Sequence, residues 1–199
     1  MMRKPVFHSR APGPSGIRIA VTMDASMTLK DYASMKLAEF NNADPAAAQA
    51  TLRPCIDVTR WVEAVAGARP FAGRTQLLEF AAQAANPFTP AEVDAAMAHH
   101  PRIGERPTAA STEASMSRSE QAGVDPSDTG VAEALARGNR DYEEKFGRVF
   151  LIRAAGRTAP EILESLNQRL GNAPEEEDTI VAQQLREIAV LRLEGLISE

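Results

Sequence analysis

The sequence predicts an all-α protein: a single compact multi-helix domain with a short extended segment near residues 149–154. Three observations carry this. Apolar residues recur at spacings of three and four through most of residues 28–198, the period of an amphipathic helix. Helix starts are marked at Asp44-Pro45 and Thr89-Pro90, each pairing an N-cap side chain with a proline in the first turn. Only Val149-Phe150-Leu151-Ile152 has marked β-character, and no second stretch matches it. It therefore reads as buried extended chain between helices rather than as part of a sheet.

Residues 1–26 mix Pro5, Pro12, Gly13, Pro14, Ser15 and Gly16 with little periodicity, and read as a flexible extension before a domain of residues 27–199. The fold is expected to begin at Thr28, with Asp31 at capping-box spacing and Leu29, Tyr32, Met35, Leu37 and Phe40 on one face. Asn41-Asn42 closes that helix. Asp44-Pro45 opens the next, which stops at Arg53-Pro54. A third pattern uses Ile56, Val58, Trp61, Val62 and Val65 and ends at Gly67, with Trp61 as a core anchor. Residues 75–85 form a fourth. Thr89 then caps a helix running through Val93 and Met97 to His99-His100. Beyond a loop, residues 112–122 make a short helix, and residues 131–146 a long one despite Gly138. Gly147 ends it. Two helices close the chain, residues 160–170 and 175 to about 197, the second with Glu175, Glu176, Glu177 and Asp178 loading its first turn, where the helix dipole favours negative charge.

Composition narrows the class of function. At 199 residues, 44% hydrophobic and 25% charged, the chain suits one ordinary globular domain. A net charge of −5 argues against nucleic acid and anionic membrane surfaces as partners. The single cysteine, Cys55, excludes an internal disulfide framework and fits a reducing compartment. No apolar run reaches the ~18–20 residues of a membrane span. Arg3 and Lys4 are not followed by the apolar core of a secretory signal. A cytoplasmic location is the expectation.

Chemistry concentrates in two neighbouring stretches. His8 lies in the extension, so the domain keeps its near-neutral titrating groups at His99 and His100. Pro101 disfavours helical geometry at His100 and places it at a turn, where its ring can face a cleft or simply water. Adjacent histidines lack the spacing of a helical metal-ligand pair and no cysteine is close, so no metal site is expected. Ser117, Glu120 and Gln121 share one helical face, offering a hydroxyl, a carboxylate and an amide to a small polar heterocycle, or else a solvated surface. Arg192 sits in an apolar run from Ile188 to Ile197, either snorkelling from the core edge or aimed into a cleft. Ser117 lacks the glycine-flanked elbow of a serine hydrolase.

In order, His100-Pro101-Arg102-Ile103-Gly104-Glu105, Ser117-x-x-Glu120-Gln121-Ala122-Gly123, Asn139-x-x-Tyr142-x-x-Lys145-Phe146-Gly147 leading into Phe150-Leu151-Ile152, and Leu191-Arg192-Leu193 resemble 2-oxo-4-hydroxy-4-carboxy-5-ureidoimidazoline decarboxylase (OHCU decarboxylase), in its bacterial form. The resemblance spans roughly residues 28–198. It implies a cofactor-free helical enzyme, usually a homodimer, that yields (S)-allantoin and carbon dioxide in urate degradation, downstream of urate oxidase and hydroxyisourate hydrolase. By position it implies His100 and Glu120 as catalytic. Pro101, Ser117, Arg118, Ser119, Gln121 and Arg192 match substrate-contacting positions, and Phe150, Leu151, Ile152, Arg153 and Ala154 a segment whose backbone binds the substrate. Arg153 departs from the small residue or cysteine common there, and His99 has no matching role. The competing reading is a non-catalytic helical ligand-binding or interaction module, which predicts no activity and no penalty for losing Glu120.

Overall fold

The computed structural model describes residues 34–98, 100–104, 112–122 and 129–199. Along the chain these form β1 (Met35–Lys36), α1 (Leu37–Asn42), α2 (Pro45–Leu52), α3 (Thr59–Gly67), α4 (Arg74–Gln83), α5 (Pro90–Met97), α6 (Thr112–Glu120), α7 (Thr129–Phe146), α8 (Ala159–Arg169), α9 (Pro174–Leu196) and β2 (Ile197–Ser198). The all-α expectation holds, with one addition: β1 and β2 pair in parallel, Met35 opposite Ile197 and Lys36 opposite Ser198. Met35 therefore does not extend the first helix, which begins only at Leu37. The expected start at Thr28 and the proposed boundary near residue 27 lie outside the described residues.

The helix starts follow local chemistry. Asp44 accepts a hydrogen bond from the Ala47 amide at 3.0 Å, with Pro45 behind it. Thr89 and Glu92 form a full capping box, and Glu161 Oε2 accepts from the Thr158 amide at 2.7 Å, satisfying amides that the helix starts would otherwise leave open. Helix α3 starts later than its apolar pattern, so Ile56 and Val58 are buried in the connection before it.

Helix α9 is the spine of the larger core. Its Val181, Leu185, Ile188, Ala189 and Leu193 belong to one buried cluster with Phe40, Leu52, Trp61, Val65, Leu77, Val93 and Met97. A fully buried leucine or valine contributes roughly 1.5–3 kcal/mol relative to exposure. Trp61 is a core anchor as expected, and its Nε1 donates to the Ala81 carbonyl at 2.8 Å. A second cluster joins α7 and α8 through Leu135, Tyr142, Ile162 and Leu166. Gly138 lets these helices approach: a Cβ there would lie 2.6 Å from Leu166 Cδ2.

Residues 149–154 are irregular, extended chain between the clusters. Leu151 points into the α9 core, whereas Phe150, Ile152 and Ala154 join the α7–α8 cluster. That alternation is the signature of an extended strand-like backbone buried on both faces. Acidic residues load the first turn of α9 as expected, and Glu177 among them is also buried, only 1% exposed. Its Oε1 accepts from Arg169 Nε at 2.8 Å and from the Tyr142 hydroxyl, and its Oε2 accepts from Asn172 Nδ2 at 2.8 Å. Arg169 also donates through Nη1 to the Leu151 carbonyl at 2.7 Å. This buried network thus holds the extended segment against α7, α8 and α9.

Candidate active site

Helix α5 delivers His100 to its C-terminal turn. Past Met97 the His100 amide donates to the Met97 carbonyl at 3.0 Å, and the ring Nδ1 lies 3.0 Å from the Ala96 carbonyl. A carbonyl oxygen only accepts, so Nδ1 carries the proton of that bond. Nε2 is thereby the basic nitrogen of the neutral imidazole. The chain then turns through Pro101 to Gly104, whose φ of +83° suits glycine's freedom in the left-handed region. His99 and Glu105 lie outside the described residues.

Helix α6 supplies the acidic group. Ser117 and Glu120, one turn apart, are both buried and both face Arg192 of α9. Arg192 Nε donates to Glu120 Oε1 at 2.6 Å, and Nη2 donates to Glu120 Oε2 at 3.0 Å and to Ser117 Oγ at 3.0 Å. Its Nη1 reaches the Pro54 and Cys55 carbonyls at 3.5 and 3.4 Å. Arg192 therefore does not snorkel; only 2% of it is exposed. The two-pronged contact fixes the carboxylate's orientation, as a planar guanidinium can and an ammonium cannot. Nearby, burial pushes the Cys55 thiol up to about 12, so it is no thiolate nucleophile near neutral pH.

Gln121 links the two halves. Its Oε1 accepts from the Gly104 amide at 3.1 Å, tying the turn after His100 to the end of α6. Arg118 is exposed and donates to Ser115 Oγ at 2.7 Å, while Ser119 is half-buried. In the extended segment, Phe150, Leu151, Ile152 and Ala154 are buried. The Arg153 amide donates to Gln184 Oε1 at 2.9 Å, and its side chain turns towards Glu187, 4.0 Å away. The Leu151 carbonyl accepts from Arg169 and the Ala154 carbonyl from the Arg157 amide. Among the described residues, neither the Ile152 amide N–H nor its carbonyl has a hydrogen-bond partner.

Other positioning side chains emerge only in three dimensions. Asn139 donates from Nδ2 to the Ile103 carbonyl at 3.0 Å, and Arg102 pairs with Glu143 at 2.5 and 2.6 Å. Glu143 is held below the usual carboxylate range by Arg102. Lys145 caps the end of α8 through the Leu170 and Asn172 carbonyls. The Asn139-x-x-Tyr142-x-x-Lys145 spacing flagged Asn139 and Lys145 without revealing their partners, and it did not flag Glu143. A separate cavity of about 470 Å³ is lined by Phe88, Val93, Arg148, Ala182 and Arg186, and none of the candidate site residues borders it. In that cavity Arg186 is engaged by the Ala84 carbonyl and Asn86 Oδ1.

Comparison with known proteins adds the following. The model of a family described as OHCU decarboxylase matches residues 41–194. A 2-oxo-4-hydroxy-4-carboxy-5-ureidoimidazoline decarboxylase from Amia calva is 32% identical over 136 residues, 67% of this chain and 78% of that protein. The uric acid degradation bifunctional protein TTL of Arabidopsis thaliana is 37% identical over 107 residues, 52% of this chain and 33% of that protein. Among solved structures, one of OHCU decarboxylase in the presence of (S)-allantoin superposes with a TM-score of 0.61 at 24% identity. That match covers 77% of this chain and 98% of the other. An (S)-allantoin synthase superposes with a TM-score of 0.60 at 16% identity, covering 82% and 54%. At these identities the structural likeness speaks for the fold.

Proposed function

Because the chain belongs to the OHCU decarboxylase family, we propose that it decarboxylates 2-oxo-4-hydroxy-4-carboxy-5-ureidoimidazoline to (S)-allantoin and carbon dioxide, with His100 and Glu120 as the catalytic pair. The observation that carries this reading is the family match over residues 41–194. The Gln121–Gly104 bond supports the choice of site, since it joins the His100 turn to the helix bearing Glu120.

The substrate's own chemistry makes the reaction feasible without an electron sink from outside. When the bond to the carboxylate breaks, its electron pair forms a double bond to the ureido-bearing carbon, the ring carbon–nitrogen pair moves onto nitrogen, which takes a proton from solvent, and carbon dioxide leaves. The ring hydroxyl then loses its proton to become a carbonyl, and a proton is delivered to the neighbouring carbon that carries the ureido group. His100 Nε2 takes the hydroxyl proton and returns a proton to one face. A positioned acid–base group of this kind contributes ~10²–10⁴-fold. Glu120 orients the hydroxyl, and Arg192 with Ser117 holds Glu120 in place. Pro101, Gln121 and the backbone of residues 150–154 frame the ring; donors set in advance where charge develops cost no reorganisation during the reaction.

The pathway context supplies the rest of the proposal. The substrate comes from urate oxidase and then hydroxyisourate hydrolase in the cytoplasm, and the enzyme works as a homodimer whose catalytic unit is residues 27–199. No helix among the described residues is long and apolar enough to cross a membrane. The test is circular dichroism at an allantoin band, with urate converted by those two enzymes and this protein then added. Rapid growth of the (S) signal, abolished in His100→Ala while the helical spectrum is kept, is the expected result. A slow, racemic time course unchanged by the protein would overturn the proposal.

A further inference from the structure

Three consecutive residues after His100-Pro101 are gripped by three different side chains. Arg102 is held by Glu143 and the Ile103 carbonyl by Asn139 Nδ2, both on α7, and the Gly104 amide by Gln121 next to α6. These grips are unequal. The Arg102–Glu143 pair is substantially exposed, where such pairs are screened and contribute little. Asn139 is 4% exposed, and its Oδ1 is buried with no hydrogen-bond partner among the described residues. A side chain needed only to fill space between α7 and the loop would be apolar, since a buried amide oxygen without a donor is costly. The amide is therefore kept for its other end, the N–H that fixes Ile103.

We infer that Asn139 is a positioning residue for the reaction, clamping the turn after His100 so that the imidazole keeps its place relative to the Glu120–Arg192 pair. This inference rests on the proposed role of His100. Ile103 is itself buried in the cluster that holds Phe150, Ile152 and Ala154, so the clamp ties the turn to the core of the extended segment as well. Misplacing a reacting group by about 1 Å can cost on the order of 10²-fold in rate.

The test uses Asn139→Leu and Asn139→Asp in the full chain. Asn139→Leu keeps the branched shape with a little more bulk and removes both the donor and the orphan oxygen; the Ile103 carbonyl it strands offsets that gain, so its melting temperature should stay near that of the wild type. Its kcat should fall on the order of 10²-fold with a smaller change in KM. Asn139→Asp should be equally slow at neutral pH, where a carboxylate cannot donate to a carbonyl. Its activity relative to wild type should recover as the pH falls and the carboxyl becomes a donor, while the Asn139→Leu ratio stays flat. Wild-type kcat in Asn139→Leu, or a loss that follows falling stability with no recovery in Asn139→Asp, would overturn the inference. Should the wild type itself lack decarboxylase activity, exchange of the Gly104 amide with deuterium decides separately. Faster exchange in Asn139→Leu supports the clamp, and unchanged exchange refutes it.

Discussion

Glu120 and Arg192 make a charge pair that is almost wholly withdrawn from water, with side chains 8% and 3% exposed. Removing one partner of such a pair strands the other charge, at about 3–5 kcal/mol. Glu120→Gln keeps the shape but leaves Arg192 facing a neutral amide. We expect that variant to lose (S)-allantoin formation and to unfold at lower urea, with a loss of that size. Arg192→Lys should not rescue activity, because one ammonium cannot supply the parallel Nε and Nη2 bonds that orient the carboxylate. Urea unfolding followed by helical circular dichroism, beside the allantoin assay, checks both. An active, stable Arg192→Lys enzyme would show that charge alone suffices. His100 illustrates the opposite economy: one backbone carbonyl, that of Ala96, determines which ring nitrogen is basic.

Helix α5 shows how an element's start bears on a group at its end. Glu92 Oε2 accepts from the Thr89 amide at 2.7 Å, and both its oxygens accept from Arg60, at 2.9 and 2.7 Å. Arg60 above all, with Thr89, brings the Glu92 carboxyl down to about 2. A carboxyl whose folded pKa is depressed stabilises the fold above its unfolded value and stops doing so as pH falls through the folded value. Glu92→Gln should therefore lower the melting temperature at pH 7, and the gap to wild type should close between roughly pH 4.5 and 2. A gap that persists at pH 2 would mean the carboxylate's charge is not the stabilising feature. Starts of this kind were legible in the sequence because capping is local: Asp44-Pro45 and Thr89-Pro90 act within one turn. What was not legible is non-local. β1 exists only because Ile197-Ser198 lies beside it, and two residues carry no periodicity. Glu177 was hidden among four acidic residues that the helix dipole already explained. Arg192 stood out as a cation in an apolar run, open to snorkelling or to a cleft, but its pairing with Glu120 depends on how α6 packs against α9.

Across the whole molecule, the Arg169–Glu177–Tyr142 network joins α7, α8, α9 and the extended segment. Burial pushes the Glu177 carboxyl up, but hydrogen bonds from Arg169, Tyr142 and Asn172 outweigh it and hold it below the usual carboxylate range. Burial first, and then Glu177, pushes the Tyr142 hydroxyl up, so it stays a donor. Two roles are combined here, cohesion between the helices and the placing of residues 149–154, and a paired substitution separates them. Glu177→Gln alone should destabilise by about 3–5 kcal/mol through the stranded Arg169. Changing both partners, Glu177→Leu with Arg169→Met, replaces the buried ion pair by apolar packing and should restore much of that stability. Activity should not return with it, because Arg169 Nη1 is also the donor to the Leu151 carbonyl, and the backbone next to it is the proposed substrate-binding edge. Stability recovered by urea titration with (S)-allantoin formation still low is the expected outcome. A double variant that is both stable and fully active would mean that the apolar side chains of Phe150, Leu151 and Ile152 suffice to place the segment, and that the ion pair contributes cohesion only.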